Sequence, residues 1–215
     1  MDHPKIFVAW TDGETRDLDV CLHAIQRRAS DLVEIVPIKQ AKPAQPNGPT
    51  LTAAGKTAFT VPALNGFAGW AAFIRSDMLF LADIYELWQL RDERCAVMGV
   101  RHDAADGGQE SPWYQPLLWN CAHPANRALT ESFLAQAGDD VLNRFAWVDE
   151  AARGCLPEAW NWREGQSDPA IPPKAVEFVT TPAVDAANTA ALYADLWRRE
   201  EKRIYGDLPV QASAF

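Results

Sequence analysis

Three polar residues, Arg75, Ser76 and Asp77, interrupt the long apolar run from Gly69 to Ile84. A guanidinium offers the rigid fork of donors that phosphate oxygens match, and a carboxylate is a hard ligand for cations. The stretch Trp70 to Ile74 is too short for a surface helix and does not alternate, so it reads as a strand covered on both faces. In open α/β sheets ligands bind outside the carboxyl ends of the strands, where such a strand would present Arg75 and Asp77. The alternative is an ordinary strand end closed by a surface Arg–Asp pair.

The elements that would position this tripeptide alternate along the chain. Lys5 to Trp10 reads as a first strand, broken by the turn-forming Thr11-Asp12-Gly13-Glu14. From Asp17, Leu18, Cys21, Leu22 and Ile25 recur at helical spacing and end on Arg27-Arg28, which suits a helix C-terminus. A second strand is expected at Leu32 to Ile38, a loop at Gln40 to Gly55, and a short helix at Thr57 to Asn65. After the Trp70 strand, Asp83 should cap a short helix through Trp88, followed by a buried strand at Cys95 to Arg101. Asp103 to Pro116 has the composition of a mobile loop over a site or of a plain surface connection. A strand at Leu117 to Cys121 and a helix from Pro124 to Ala137 come next. Trp160-Asn161-Trp162 sits in an irregular stretch before a late strand at Ala175 to Val179. A terminal helix over Ala186 to Arg203 would turn Leu192, Leu196 and Trp197 to one side. This order predicts an α/β fold with a mostly parallel central sheet flanked by helices, one domain over residues 1–203 and a C-terminal tail over 204–215 that is poorly ordered from Asp207.

The totals narrow the partners. A chain of 215 residues suits one large domain with a substantial core, and its formal charge of -9 argues against nucleic acid or an anionic membrane. No apolar run is long enough to span a bilayer and the start does not read as a signal peptide, so a soluble cytoplasmic protein without an integral membrane segment is expected. Cys21, Cys95, Cys121 and Cys155 are widely spaced, indicating small buried residues rather than zinc ligands or a disulfide framework. His23, His102 and His123 show no ligand spacing and read as surface or satisfied core residues.

Ile6-Phe-Val-Ala-Trp10, the segment 69–84, Trp119-Asn-Cys-Ala-His-Pro-Ala-Asn-Arg127 and Leu156-Pro-Glu-Ala-Trp-Asn-Trp162 together resemble bacterial proteins related to family 8 glycosyltransferases, over most of the chain. The resemblance implies the Rossmann-like GT-A fold. It also implies transfer of a hexose, most readily from a UDP-sugar, to an acceptor that the sequence does not identify. In that family the strand matching residues 70–74 ends in Asp-x-Asp, whose carboxylates hold a divalent metal, Mn or Mg, that neutralises the leaving diphosphate. Here Asp77 keeps the second carboxylate, while Arg75 stands at the first and cannot ligate a cation. A family histidine ligand falls near Glu177, so the metal positions read Asp77 and Glu177. Thr57-Ala58-Phe59 stands where the family commonly has Ser-Arg-Phe.

Two exchanges of opposite sign suggest an ion pair between Arg75 and Glu177 across the metal position. At about 4 Å and an effective dielectric near 20 such a pair gains on the order of 4 kcal/mol before desolvation. Two functions follow: a transferase in which Arg75 itself neutralises the donor diphosphate without metal, or a pseudoenzyme with a binding or regulatory role. By the resemblance, Asp149 of the Asp149-Glu150 pair would act near the sugar, making Asp149 and Arg75 the catalytic candidates. Trp10, Thr11, Asp12, Ser76, Asp77, Asn120 and Trp160 are the nucleotide-sugar-binding candidates. Core packing competes with stacking at Trp10, Trp160 and Trp162, a turn role with binding at Asp12, and a capping role at Asn120. Arg198, Arg199, Lys202 and Arg203 make the terminal helix locally basic, but alternation with Glu200 and Glu201 points to a solvated face.

Overall fold

A computed structural model describes residues 3–40, 55–102, 113–164, 166–178 and 192–206. Its strands are β1 (Lys5–Trp10), β2 (Glu34–Lys39), β3 (Trp70–Arg75), β4 (Met78–Phe80), β5 (Val97–Arg101), β6 (Trp113–Asn120), β7 (Arg153–Leu156) and β8 (Ala175–Glu177). The helices are α1 (Thr15–Arg28), α2 (Val61–Leu64), α3 (Ile84–Trp88), α4 (Glu131–Gln136), α5 (Asp139–Asn143) and α6 (Ala194–Tyr205).

Six strands form the main sheet in the order β2-β1-β3-β6-β5-β7, and β4 pairs with β8 in a small second sheet. Strands β1, β2 and β3 are mutually parallel, as are β5 and β7, and β6 runs against its neighbours β3 and β5. The expected α/β architecture with a mostly parallel sheet is therefore present. Alternation along β1 builds both faces: Ile6 and Val8 enter a core with Leu18, Cys21 and Ile25 of α1, while Phe7 and Ala9 face Phe59, Phe73 and Trp119. A fully buried side chain such as Phe73 contributes about 1.5–3 kcal/mol by leaving water. Helix α1 is apolar on a second side too, where Val20 and Ala24 meet Leu79, Val176 and Trp197 of the small sheet and α6.

Local chemistry explains most boundaries. Asp83 Oδ1 accepts from the Tyr85 amide at 2.9 Å and starts α3, as expected. Pro37 sits in β2, whose place at the sheet edge tolerates the missing donor. The helix expected over Pro124 to Ala137 is divided, because Thr130 accepts from Phe133 N at 3.2 Å and starts α4 afresh after a 3-10 turn at Pro124–Ala128. Strand β6 begins at Trp113, four residues before the expected start, with Gln115 and Pro116 inside the ladder. Helix α6 begins at Ala194, preceded by Tyr193 at a φ of 73°, so Leu192 lies outside it and 52% exposed, whereas Trp197 is buried. It continues past residue 203 to Tyr205 and stops at Gly206, whose φ of 73° favours a residue without Cβ. Cys21, Cys95 and Cys121 are buried and Cys155 is exposed. Residues 41–54 of the loop expected over 40–55, most of that at 103–116, the start of the terminal segment and the tail from 207 lie outside the described residues.

Candidate functional site

The parallel register of β1 and β3 sets Ala9 beside Arg75, and Ser76 N donates to Ala9 O at 2.9 Å. Thr11 and Ser76 therefore meet at the carboxyl edge of the sheet. Both are buried and both turn to Glu14, which accepts from the Thr11 amide at 2.8 Å and the Ser76 hydroxyl at 3.1 Å. Trp10 is half-buried, with the Lys39 ammonium 5.5 Å from its ring centroid. Asp12 is exposed and pairs with Lys39 at 2.7 Å.

Arg75 donates to Asp77, two residues on, in an ion pair that leaves 23% of the arginine side chain and 11% of the aspartate exposed. Strand β8 then brings Glu177 to this corner: Glu177 is in register with Met78, and Phe178 N donates to Asp77 O at 3.1 Å. The expected pair between Arg75 and Glu177 is replaced by two others, Arg75 with Asp77 and Arg163 with Glu177 at 3.9 Å. A flexible arginine at a strand end reaches the carboxylate in its own turn more readily than one across the sheet. Burial pushes the Asp77 carboxyl up to about 7; Arg75 opposes this, and Glu177, Glu14 and Asp17 add to it. Burial also works against the charge of Arg75, but Asp77, Glu177 and Glu14 hold it protonated more firmly than usual.

A hydrogen-bonded wall extends the site toward β5. The Asn161 amide donates to Glu177, and its oxygen faces His102 Nε2 at 2.8 Å. His102 Nδ1 lies 3.3 Å from Glu158, and the ring meets Tyr114 edge-on at 4.9 Å. Gln115 follows on β6 just beyond its last paired residue with β3, 1% exposed, with neither amide atom hydrogen-bonded among the described residues. Asp77 Oδ1 and Arg163 Nε are likewise buried without a hydrogen bond.

Glu14, His102, Gln115, Asn161 and Arg163 were not expected here. His102 had a signal, since it directly follows a strand that the sequence does suggest and so belongs at a carboxyl end. Three expected residues are misplaced. Asp149 is exposed and precedes β7, which is parallel to β5, so it lies at the opposite edge of the sheet. Asn120 ends the reversed strand β6 beside Trp70 and reaches Glu93 O, also at the opposite edge. Trp160 is fully buried, with Phe80 packed beside it and the Lys174 ammonium 5.3 Å from its ring centroid, so no face is left for a sugar, and Trp162 is buried as well.

The metal implied by the family resemblance does not fit these residues. Arg75, which by the resemblance stands at the first carboxylate position, cannot ligate a cation, Asp77 is ion-paired to it, and Glu177 is engaged by Asn161 and Arg163. Among the described residues no group of three or more His, Cys, Asp or Glu could hold a metal ion.

No family model matches the sequence. It is 33% identical over 222 residues to Protein CDI of Arabidopsis thaliana, covering 91% of this chain and 85% of the relative. The chain belongs to the family of Protein CDI. That relative is from a plant, whereas the motifs resembled bacterial proteins. Among solved structures the chain is similar to the bifunctional glycosyltransferase WbbM (TM-score 0.63, 15% identity, 94% of this chain) and spans 51% of WbbM's length. It is similar to the galactosyltransferase LgtC in complex with donor and acceptor sugar analogues (TM-score 0.63, 12% identity, 93% of this chain and 95% of LgtC). The glycosyltransferase GlyE of Streptococcus pneumoniae is also similar (TM-score 0.60, 11% identity, 100% of this chain and 67% of GlyE). At these identities the likeness shows the fold, which is GT-A. Among the described residues no helix is long and apolar enough to cross a membrane.

Proposed function

We propose that this protein is a glycosyltransferase that binds a nucleotide diphosphate sugar, UDP-hexose foremost, at the carboxyl edge of β1, β3 and β5 without a divalent metal. The observation that carries this reading is the concentration there of buried polar atoms without hydrogen bonds, on Asp77, Gln115 and Arg163, beside the Arg75 guanidinium. Groups left in that state are costly, about 1–3 kcal/mol each, and a ligand that satisfies them recovers the cost. Breaking the sugar–phosphate bond leaves charge on the nucleotide diphosphate. In this reading Arg75 meets that charge with a forked pair of N–H groups, held in place by Asp77. Trp10, at the end of β1, is the stacking face for the base, and the domain is a single unit running to the end of α6.

A second reading, a GT-A domain that binds the nucleotide sugar without transferring it, is favoured by the remote position of Asp149, the carboxylate expected beside the sugar. Turnover separates the two. Incubated with UDP-glucose, a transferase releases UDP by slow hydrolysis even without its acceptor, and Arg75→Ala abolishes that release. Saturable binding of UDP-glucose with no UDP released by the wild type would favour the second reading, and no binding would overturn both.

A further inference from the structure

Arg163 is not part of any motif discussed above, and its surroundings are unusual for a structural arginine. It is mostly buried, with its guanidinium carbon 5.1 Å from the centre of the Tyr114 ring. Nη1 donates to Gln166 at 2.7 Å, and the turn that carries the residue is tied by its own amide to the Ser167 hydroxyl at 3.0 Å. Its Nε is buried and, among the described residues, has no hydrogen-bond acceptor, although the Glu177 carboxylate is 3.9 Å away. That oxygen of Glu177 already accepts from Asn161. Arg163 is thus held over an aromatic ring with an unfilled, cationic donor, next to the carboxylate whose charge also acts on Arg75.

We propose that Arg163 is the second cation of the site, binding one phosphoryl group of the donor diphosphate while Arg75 binds the other. The assignment rests on the metal-free reading above. Two guanidinium groups, Arg75 beside Asp77 and Arg163 beside Glu177, take the place of the single divalent charge that these positions do not hold. A guanidinium cannot shed its proton to escape burial, so its empty Nε–H requires an acceptor, and a phosphoryl oxygen is a strong one.

Titration calorimetry of the full chain in EDTA with UDP, UMP and inorganic pyrophosphate tests it, using the wild type, Arg163→Ala and Arg163→Lys. Arg163→Ala should weaken UDP and pyrophosphate about 10- to 100-fold, with UMP weakened much less, and Arg163→Lys should recover part of the loss. A merely structural role would lower UMP and UDP affinity equally, and that result overturns the assignment. Unchanged UDP binding in Arg163→Ala overturns it too, while leaving the metal-free reading standing. If the wild type binds pyrophosphate but not UDP, and Arg163→Ala loses pyrophosphate, Arg163 is an anion ligand and the nucleotide-sugar reading falls. Binding of none of the three overturns both.

Discussion

At the residue scale the site depends on a swap of charge signs. By the resemblance to family 8 glycosyltransferases, Arg75 stands where a metal-binding member would have a carboxylate, and Glu177 near where it would have a neutral imidazole. Restoring both, as Arg75→Asp with Glu177→His, should create a Mn²⁺-dependent rise in thermal midpoint that the wild type lacks. A wild type stabilised by Mn²⁺ as strongly as the double variant would refute the metal-free site. Asp77 gives a second test through pH. Its carboxyl is raised in the folded protein to about 7 from an unfolded value near 3.8, so the unfolded chain loses that proton first as pH rises. Folding stability must therefore fall between about pH 4 and pH 7 on account of this group and level off above. Asp77→Asn removes the cost and should be more stable relative to wild type at pH 8 than at pH 4, by on the order of 1–3 kcal/mol, measured by denaturant unfolding at the two pH values. An equal effect at both would mean that Asp77 is ionised throughout.

The element scale separates what the sequence made legible from what it did not. Trp70 to Arg75 was readable as a strand covered on both faces because every residue from Trp70 to Ile74 is apolar, and its burial follows. Arg75 and Asp77 were thereby placed correctly at a carboxyl edge. Asn120 and Asp149 were not, because their distance from that edge depends on the reversed direction of β6 and on which end of β7 faces the site. Strand direction is set by tertiary pairing and leaves no local trace. Trp160 was ambiguous for another reason: an indole suits a core as well as a sugar. Packing between β5 and β7 makes its own prediction. A Cβ at Gly154 would lie 2.6 Å from Met98 Cγ and 2.9 Å from Cys95 Sγ, so Gly154→Ala should cost about 1–3 kcal/mol of stability by chemical denaturation.

Across the whole molecule, a charge latch between α1 and α6 complements the chemistry at the carboxyl edge. Glu200 of α6 is 1% exposed and accepts from Arg27 at 2.9 Å, Arg28 at 2.8 Å and Arg203 at 2.9 Å, with His23 Nδ1 at 3.0 Å. Tyr205 reaches Asp19, and Arg16 pairs with Glu201 at 2.9 Å, so α6 is fastened to α1 along its length. The helix reads as a solvated, mixed-charge face in one dimension, and only the fold shows that Glu200 points inward. Burial opposes the Glu200 charge, but the three arginine hydrogen bonds bring its pKa down to about 2 from an ordinary 4.5. Its stabilisation is complete above about pH 4.5 and is lost as pH falls through about 2. Glu200→Ala leaves the mostly buried Arg28 without its carboxylate, while Arg27 and Arg203 turn to water, and should cost about 1–3 kcal/mol at neutral pH, seen as a lowered thermal midpoint. A change below 1 kcal/mol would mean that the latch carries no net stability.

The central claim is that a fixed guanidinium has taken over the work of a metal ion. Titration of UDP into the wild-type protein, first in EDTA and then with excess Mn²⁺, measures this directly. A metal-free site built on Arg75 predicts saturable binding of the same affinity in both conditions. Binding that appears only when Mn²⁺ is present would contradict it.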